Sequence, residues 1–297
     1  MLIELSQLDN FIYATKRKEA NLNTVKELFA HYQKEAFFDK ISWIEFDLQN
    51  PETFKNIPTT ISEIYHTAAF VSFLPKDEKT MYAINVEGTK NLLEWSKNNT
   101  VKTFAFVSSI AAIGKAKKGE LIDENTLYNT SEHHSAYAET KYQAEQLVWT
   151  YKDSFQVVAI NPGVIIGPTD WDKSSGALFK VGYNGLKFYT LGVNGFVDVR
   201  DVARGLVVLV QNIKDTHSNR FIAVGENANY KQLFTAIAHS LNKPSPKILA
   251  IPLFTEIGWR LEKIKSIITS KPAHLTKETA RSAQEVHRFD NSRLDTL

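Results

Sequence analysis

The chain has 297 residues, of which 43% are hydrophobic and 23% charged, enough apolar material for the core of one large domain or two smaller ones. Its 35 Lys and Arg against 33 Asp and Glu leave a net charge of +2, which gives no electrostatic case for nucleic acid or an anionic membrane as partner. It contains no cysteine, which excludes disulfides, thiolate catalysis and cysteine-ligated zinc.

Taken in chain order, residues 1–7 read as the end of a helix and residues 11–14 as a strand. Further strands are predicted at 63–66, 104–107, 157–160 and 221–224. These are near-continuous apolar runs, the pattern of strands buried on both faces. Helical patterns at 86–98 and 137–151 lie between them. Strand–helix alternation of this kind predicts a parallel sheet covered by helices. Residues 171–196 are rich in Gly and aromatics, including Trp171, Phe179, Tyr183, Phe188, Tyr189 and Phe196. From Tyr230 the pattern is mostly helical, broken by Pro244, Pro246, Pro252 and Pro272. The expected division is a main domain over 1–168, rejoined by 196–225, and a smaller region over 169–195 and 226–297. No run of about 18 apolar residues occurs, and the opening Met1-Leu2-Ile3-Glu4-Leu5 lacks the basic and long apolar parts of a signal peptide. A cytoplasmic protein is expected, and the sequons at Asn98 and Asn129 are read as accidental.

The chemistry concentrates in Tyr137-Ala138-Glu139-Thr140-Lys141. On a helix, residues four apart share one face, so Tyr137 and Lys141 point the same way. A nearby ammonium favours the phenolate and lowers the tyrosine pKa from its ordinary value near 10, giving a general acid or base usable near neutrality. A surface helix with a chance Tyr/Lys pair shows the same spacing, so the motif alone is weak. Its context strengthens it. Val107-Ser108-Ser109 closes an apolar strand, and in open α/β sheets ligands bind at the C-terminal strand ends. A hydroxyl there can donate to a substrate oxygen as charge builds on it. Ordinary turn chemistry would also place serines at this position.

With these residues in place, the chain resembles the extended short-chain dehydrogenase/reductase family, also called the NAD-dependent epimerase/dehydratase family. The matching segments run in order: Phe46-Asp47-Leu48, Tyr65-His66-Thr67-Ala68-Ala69, Asn85-Val86-Glu87-Gly88-Thr89, Val107-Ser108-Ser109, Tyr137 to Lys141, Asn161-Pro162-Gly163-Val164-Ile165-Ile166-Gly167-Pro168 and Val197-Asp198-Val199-Arg200-Asp201-Val202-Ala203. Within the family the chain most resembles the dihydroflavonol-reductase and 3β-hydroxysteroid-dehydrogenase-like branch. The resemblance implies a Rossmann-like fold, a parallel sheet with helices on both faces and a smaller, mainly helical substrate region. It also implies an NAD(P)-dependent oxidoreductase acting on a carbonyl or secondary alcohol. Ser109 would be the catalytic hydroxyl residue, Tyr137 would exchange the proton, and Lys141 would hold the nicotinamide ribose while lowering the tyrosine pKa. Asp47 and Leu48 would meet the adenine, Ala68 and Ala69 would lie along the cofactor, and Pro162 and Val164 would flank the nicotinamide. Asn85 would support the site or cap a helix.

Lys16-Arg17-Lys18 follows the strand predicted at 11–14. A basic residue there suits the extra phosphate of NADP, whereas an acidic one suits NAD. Arg17, whose guanidinium matches phosphate geometry, makes NADP the expected cofactor and NAD the alternative. A solvated basic turn is the competing reading. No metal site is expected, since the adjacent His133 and His134 lack convergent partners.

One departure from the family stands out. The first glycine in the chain is Gly88, so the opening strand and the glycine-rich turn that admits a pyrophosphate are missing. Both ends are expected to be incomplete, and NADP(H) binding by these 297 residues is expected to be weak or absent. Partners are expected to be a small substrate, apolar or aromatic in keeping with residues 171–196, with no nucleic acid and no membrane; a homodimer is left open. A sugar-nucleotide epimerase or dehydratase is the alternative activity. Family dehydratases carry an Asp-Glu pair where this chain has Ile110 and Ala111, and no arginine occurs between Arg17 and Arg200, leaving Arg220 or Arg260 to grip a diphosphate. A non-catalytic dinucleotide sensor is the third reading; such relatives tend to lose the tyrosine or lysine, and both are present here.

Overall fold

The structure, a computed structural model, describes residues 1–8, 10–117, 119–172, 174–213, 220–252, 256–260 and 276–296. The strands in chain order are Ile12–Lys16 (β1), Ile41–Glu45 (β2), Glu63–His66 (β3), Thr103–Val107 (β4), Gln156–Pro162 (β5), Val164–Ile166 (β6), Phe188–Tyr189 (β7), Val193–Asp198 (β8), Arg220–Ala223 (β9), Glu226–Asn229 (β10) and Ile248–Leu249 (β11). The helices used below are Leu2–Leu5 (α1), Asn23–His31 (α2), Glu35–Phe38 (α3), Glu78–Tyr82 (α4), Gly88–Lys97 (α5), Ala136–Trp149 (α6), Gly176–Tyr183 (α7), Val199–Gln211 (α8) and Tyr230–Ser240 (α9).

The main sheet runs β3-β4-β5-β9, with every pairing parallel. Side chains alternate across it as the pleat requires. Phe104 and Phe106 of β4, with Val157 and Ala159 of β5, pack on one face against Leu92 and Leu93 of α5 and Ala144 and Val148 of α6. Ala105, Val158 and Ile160 face the other way, against Val202, Leu206, Leu209 and Val210 of α8. Leu206 and Leu209 are fully buried, each worth about 1.5–3 kcal/mol of hydrophobic stabilisation. The sheet is thus Rossmann-like, parallel and covered on both faces.

β1 and β2 pair in parallel as a separate two-stranded sheet, and among the described residues no strand pairs with the outer edge of β1 or of β3. This is the arrangement expected of the fold without its opening strand. The pair has its own small core of Ala14, Phe29 and Ile41, closed by Leu2, Ile3, Val25, Phe37 and Trp43. Phe46 and Leu48, just after β2, join the core of the main sheet.

Several boundaries differ from the sequence reading. The strand expected at 11–14 runs from Ile12 to Lys16, and Phe11 lies 98% exposed ahead of it. β2 was not anticipated: only Ile41 is buried in it, so the apolar signal is thin. The helix expected at 86–98 is the end of a longer unit, in which α4 passes through a π-helical turn at Ala83–Glu87 into α5. The smaller region also carries strands. β6, β8 and β10 form a mixed sheet, β8 lying between parallel β6 and antiparallel β10. The expected boundary at 195/196 therefore falls within β8, and parts of the 226–297 stretch, Pro272 among them, lie outside the described residues.

Candidate active site

The parallel strands deliver their C-terminal ends to one edge of the sheet. His66 leads into Ala68 and Ala69, Val107 into Ser108 and Ser109, and β5 ends at Pro162. Ser109 has extended backbone (φ −162°, ψ 151°), and its Oγ accepts the Ala111 N–H at 3.1 Å, capping a short 3₁₀ turn at Ile110–Ala112. That leaves the Ser109 hydroxyl proton for another acceptor. Helix α6 starts at the next capping serine, Ser135, whose side chain accepts the Ala138 N–H at 3.0 Å. Tyr137 therefore sits in the first turn of α6 and Lys141 one turn on.

The three proposed catalytic residues meet here. The Tyr137 hydroxyl hydrogen-bonds the Ser109 side chain. Lys141 is 2% exposed, donates from Nζ to the Val107 carbonyl at 2.7 Å, and lies 4.3 Å from the centre of the Phe106 ring. Burial lowers its pKa to about 7, against the pull of Glu145. The expected lowering of the tyrosine pKa is not what this arrangement gives. Burial pushes Tyr137 up, and only its bond to Ser109 acts in the other direction. The cause is geometric: the Lys141 ammonium is turned to the Val107 carbonyl.

Two neighbours escaped the sequence reading as chemistry. His66 is fully buried, its Nε2 2.9 Å from the Thr89 Oγ1. Burial and the Lys141 charge hold its pKa down at about 3, so it is neutral. Glu145, one turn beyond Lys141, is 0% exposed. Asn85, in the π-helical turn, accepts the Phe70 N–H at 2.7 Å, donates to the Phe70 carbonyl at 2.9 Å and donates to Thr140 Oγ1 at 3.1 Å. It therefore braces α6 against the segment after β3, a supporting contact made by both its side chain and the Phe70 backbone.

The residues assigned to a dinucleotide lie along the same strand ends. Arg17 is exposed just after β1, and Ala68 and Ala69 are exposed after β3. The Asp47 carboxylate accepts the Gln49 N–H at 2.9 Å. Leu48 is 8% exposed with its side chain in the core, and its carbonyl accepts from Asn91 Nδ2 at 3.1 Å, so any adenine contact from Leu48 is a backbone one. Pro162 is buried and Val164 half-buried at the β5–β6 junction. At the nicotinamide end the donors, the buried ammonium and this apolar junction fit the group. No glycine-rich turn that would admit a pyrophosphate lies among the described residues. Gly88 lies within a helix, where an added Cβ would come 2.9 Å from the Leu48 Cβ, so it packs against a core side chain rather than opening a loop.

His133 and His134 are tied locally, His134 Nε2 lying 2.8 Å from the Asn129 carbonyl and its ring stacked 4.0 Å from Tyr128. Among the described residues no three His, Cys, Asp or Glu side chains gather to hold a metal, and no helix is long and apolar enough to cross a membrane. Arg220 is engaged by Glu145, and Arg260 by Glu256.

The family model for the NAD dependent epimerase/dehydratase family matches residues 5–225, and the chain belongs to that family. Among curated proteins it is 28% identical over 263 residues to a putative dihydroflavonol 4-reductase from Synechocystis, covering 85% of this chain and 75% of that one. It is 26% identical over 222 residues to the N-acetyl-α-D-glucosaminyl-diphospho-ditrans,octacis-undecaprenol 4-epimerase of Escherichia coli O157:H7, covering 72% of this chain and 65% of that one. Relatives of the 3β-hydroxysteroid dehydrogenase type also match. Among solved structures, the UDP-glucuronic acid 4-epimerase of Bacillus cereus, in complex with UDP-glucuronic acid and NAD, superposes with a TM-score of 0.71 at 17% identity, covering 100% of this chain and 88% of that one. That likeness concerns the fold.

Proposed function

We propose that the protein is an NADP-dependent oxidoreductase that reduces a carbonyl to a secondary alcohol, with Tyr137 as proton donor. The observation that carries this reading is that the Tyr137 phenol meets the Ser109 side chain just beyond β4, while Lys141, one turn along the same helix, holds the Val107 carbonyl at the end of β4. The nicotinamide, when bound, supplies the hydride. The chain's own residues do the rest. Ser109 donates to the substrate oxygen and fixes its place. Tyr137 gives that oxygen its proton as negative charge develops there. A phenol is protonated near neutral pH, and burial pushes Tyr137 further that way, so it enters the reaction carrying the proton. Lys141, released from the Val107 carbonyl, would hold the ribose and bring its charge to the phenol.

The substrate proposed is apolar or aromatic. Trp171, Phe179 and Tyr183 form a ring cluster with centroids 6.2 and 5.8 Å from Trp171, and Ser175, at the start of α7, donates to the Ile165 carbonyl at 2.6 Å. This contact joins the aromatic segment to β6, next to Val164. Similarity to 4-epimerases supports a second reading, epimerisation of a sugar nucleotide by the same Ser109–Tyr137 pair; the engagement of Arg220 and Arg260 in ion pairs weighs against it. The test is NADPH consumption with a panel of apolar and aromatic ketones, alongside NAD-loaded enzyme with UDP-sugars. Turnover of a ketone supports the first reading; epimerisation without net oxidation supports the second.

A further inference from the structure

Beneath the catalytic layer lies a network that the proposed chemistry does not use. The Glu145 carboxylate, 0% exposed, is surrounded by donors from four elements. The Ser108 hydroxyl donates to its Oε2 from the end of β4. Asn161 Nδ2 donates to the same oxygen from β5 at 2.8 Å, and also to the Ser109 carbonyl at 2.9 Å. Arg220 donates to Oε1 from β9, its Nε at 2.6 Å. Trp149 donates its indole N–H from α6 itself at 3.3 Å. Arg220 continues outward to the Glu124 carbonyl at 3.2 Å, and the Glu124 carboxylate accepts the Ile222 N–H at 2.9 Å and faces Arg293 Nε at 3.5 Å.

We propose that Glu145 is a positioning residue of this site, holding the Ser109 turn and the Tyr137–Lys141 helix at one spacing through Ser108, Asn161 and Arg220. The inference rests on the oxidoreductase reading for the meaning of that spacing. The geometry admits no simpler purpose. Glu145 cannot reach a ligand, since it is closed off from solvent. A carboxylate costs several kcal/mol to bury unless paired and hydrogen-bonded, so an apolar residue would serve packing alone at lower cost. What Glu145 gains is reach: one side chain on α6 fixes the residue before Ser109 directly and the carbonyl of Ser109 through Asn161. It also sets the charge next to Lys141. The groups facing the Lys141 ammonium are His66 from β3, the Val107 carbonyl and Phe106 ring from β4, and Glu145 from its own helix. Among the described residues Glu145 is the one acid acting on Lys141, and Arg220 competes for it.

This makes the role separable from bulk stability. The Nζ signal of isotope-labelled Lys141 is followed by NMR against pH in the wild type, Glu145→Gln and Arg220→Gln. Glu145→Gln should move the Lys141 midpoint to lower pH, by at least about one pH unit, as expected for loss of a close opposite charge. Arg220→Gln should move it the other way, because Glu145 then faces the lysine uncompensated. In the assay, Glu145→Gln should lower kcat by about 100-fold, the scale of a small misplacement of reacting groups, with KM for the ketone little changed. If Glu145→Gln does not fold, the double variant Glu145→Gln/Arg220→Gln, which removes the buried ion pair as a unit, should titrate Lys141 at lower pH than Arg220→Gln alone, which isolates the Glu145 charge. A Lys141 midpoint that stays in place in both single variants, moves the same way in both, or is equal in Arg220→Gln and the double variant overturns the proposal. The titration is read without turnover, so it stands or falls independently of whether the enzyme is a ketone reductase.

Discussion

Lys141 donates from its Nζ to the main-chain carbonyl of Val107 across 2.7 Å, linking the helix that carries Tyr137 to the strand that leads into Ser109. The bond keeps the ammonium buried, with a consequence for folding. Its folded-state pKa, about 7, lies below the ordinary 10.5. Between these values the unfolded chain binds a proton that the folded chain does not, so stability rises with pH across that window and is reduced below it. The predicted slope is at most roughly 1.4 kcal/mol per pH unit from this group. Lys141→Met should flatten it, as read by urea unfolding at several values between about pH 7 and pH 10. An unchanged slope would show that Lys141 is not titrating in this window.

Gly163, between β5 and β6, predicts a second effect. A Cβ there would come 2.5 Å from the Gly195 carbonyl oxygen of β8, a backbone atom that cannot step aside. Gly163→Ala should cost about 1–3 kcal/mol, the range for overpacking, and should push β8 away from Pro162 and Val164. Thermal melting checks this; a melting temperature equal to the parent's would mean that β8 is free to shift.

The sheet and the helix that carries Tyr137 and Lys141 were legible because their signals are local. The strands β3, β4, β5 and β9 are apolar runs, and Tyr137 and Lys141 share a helix face whatever surrounds them. What was not legible depends on partners far apart in sequence. β2 buries only Ile41 and shows as a strand through its pairing with β1. That Leu48 packs its side chain against Gly88 and into the main core comes from a distant partner that the sequence does not reveal. The Tyr137 pKa runs opposite to expectation because spacing along α6 says nothing of where the Lys141 ammonium turns. Glu145 carries no motif of its own, and its meaning comes from Ser108, Asn161 and Arg220, which lie 37, 16 and 75 residues away.

Arg17 predicts cofactor choice. Its guanidinium, exposed just past β1, suits a 2′-phosphate. Arg17→Glu should reverse a preference for NADPH into one for NADH, measured as the ratio of their dissociation constants by nicotinamide fluorescence. The same ratio in parent and variant would make Lys16-Arg17-Lys18 a solvated turn.

The central claim is that the Tyr137 hydroxyl supplies the proton for carbonyl reduction. The most direct measurement, made on a version of the chain that carries the family's glycine-rich turn, is single-turnover reduction of an apolar or aromatic ketone by enzyme saturated with NADPH, comparing the parent with Tyr137→Phe, which keeps the ring and removes one oxygen. The rate should fall by about 10²–10⁴-fold, as for a lost general acid, with the melting temperature nearly unchanged. Equal rates in the two proteins would contradict the account and remove Tyr137 from the chemistry.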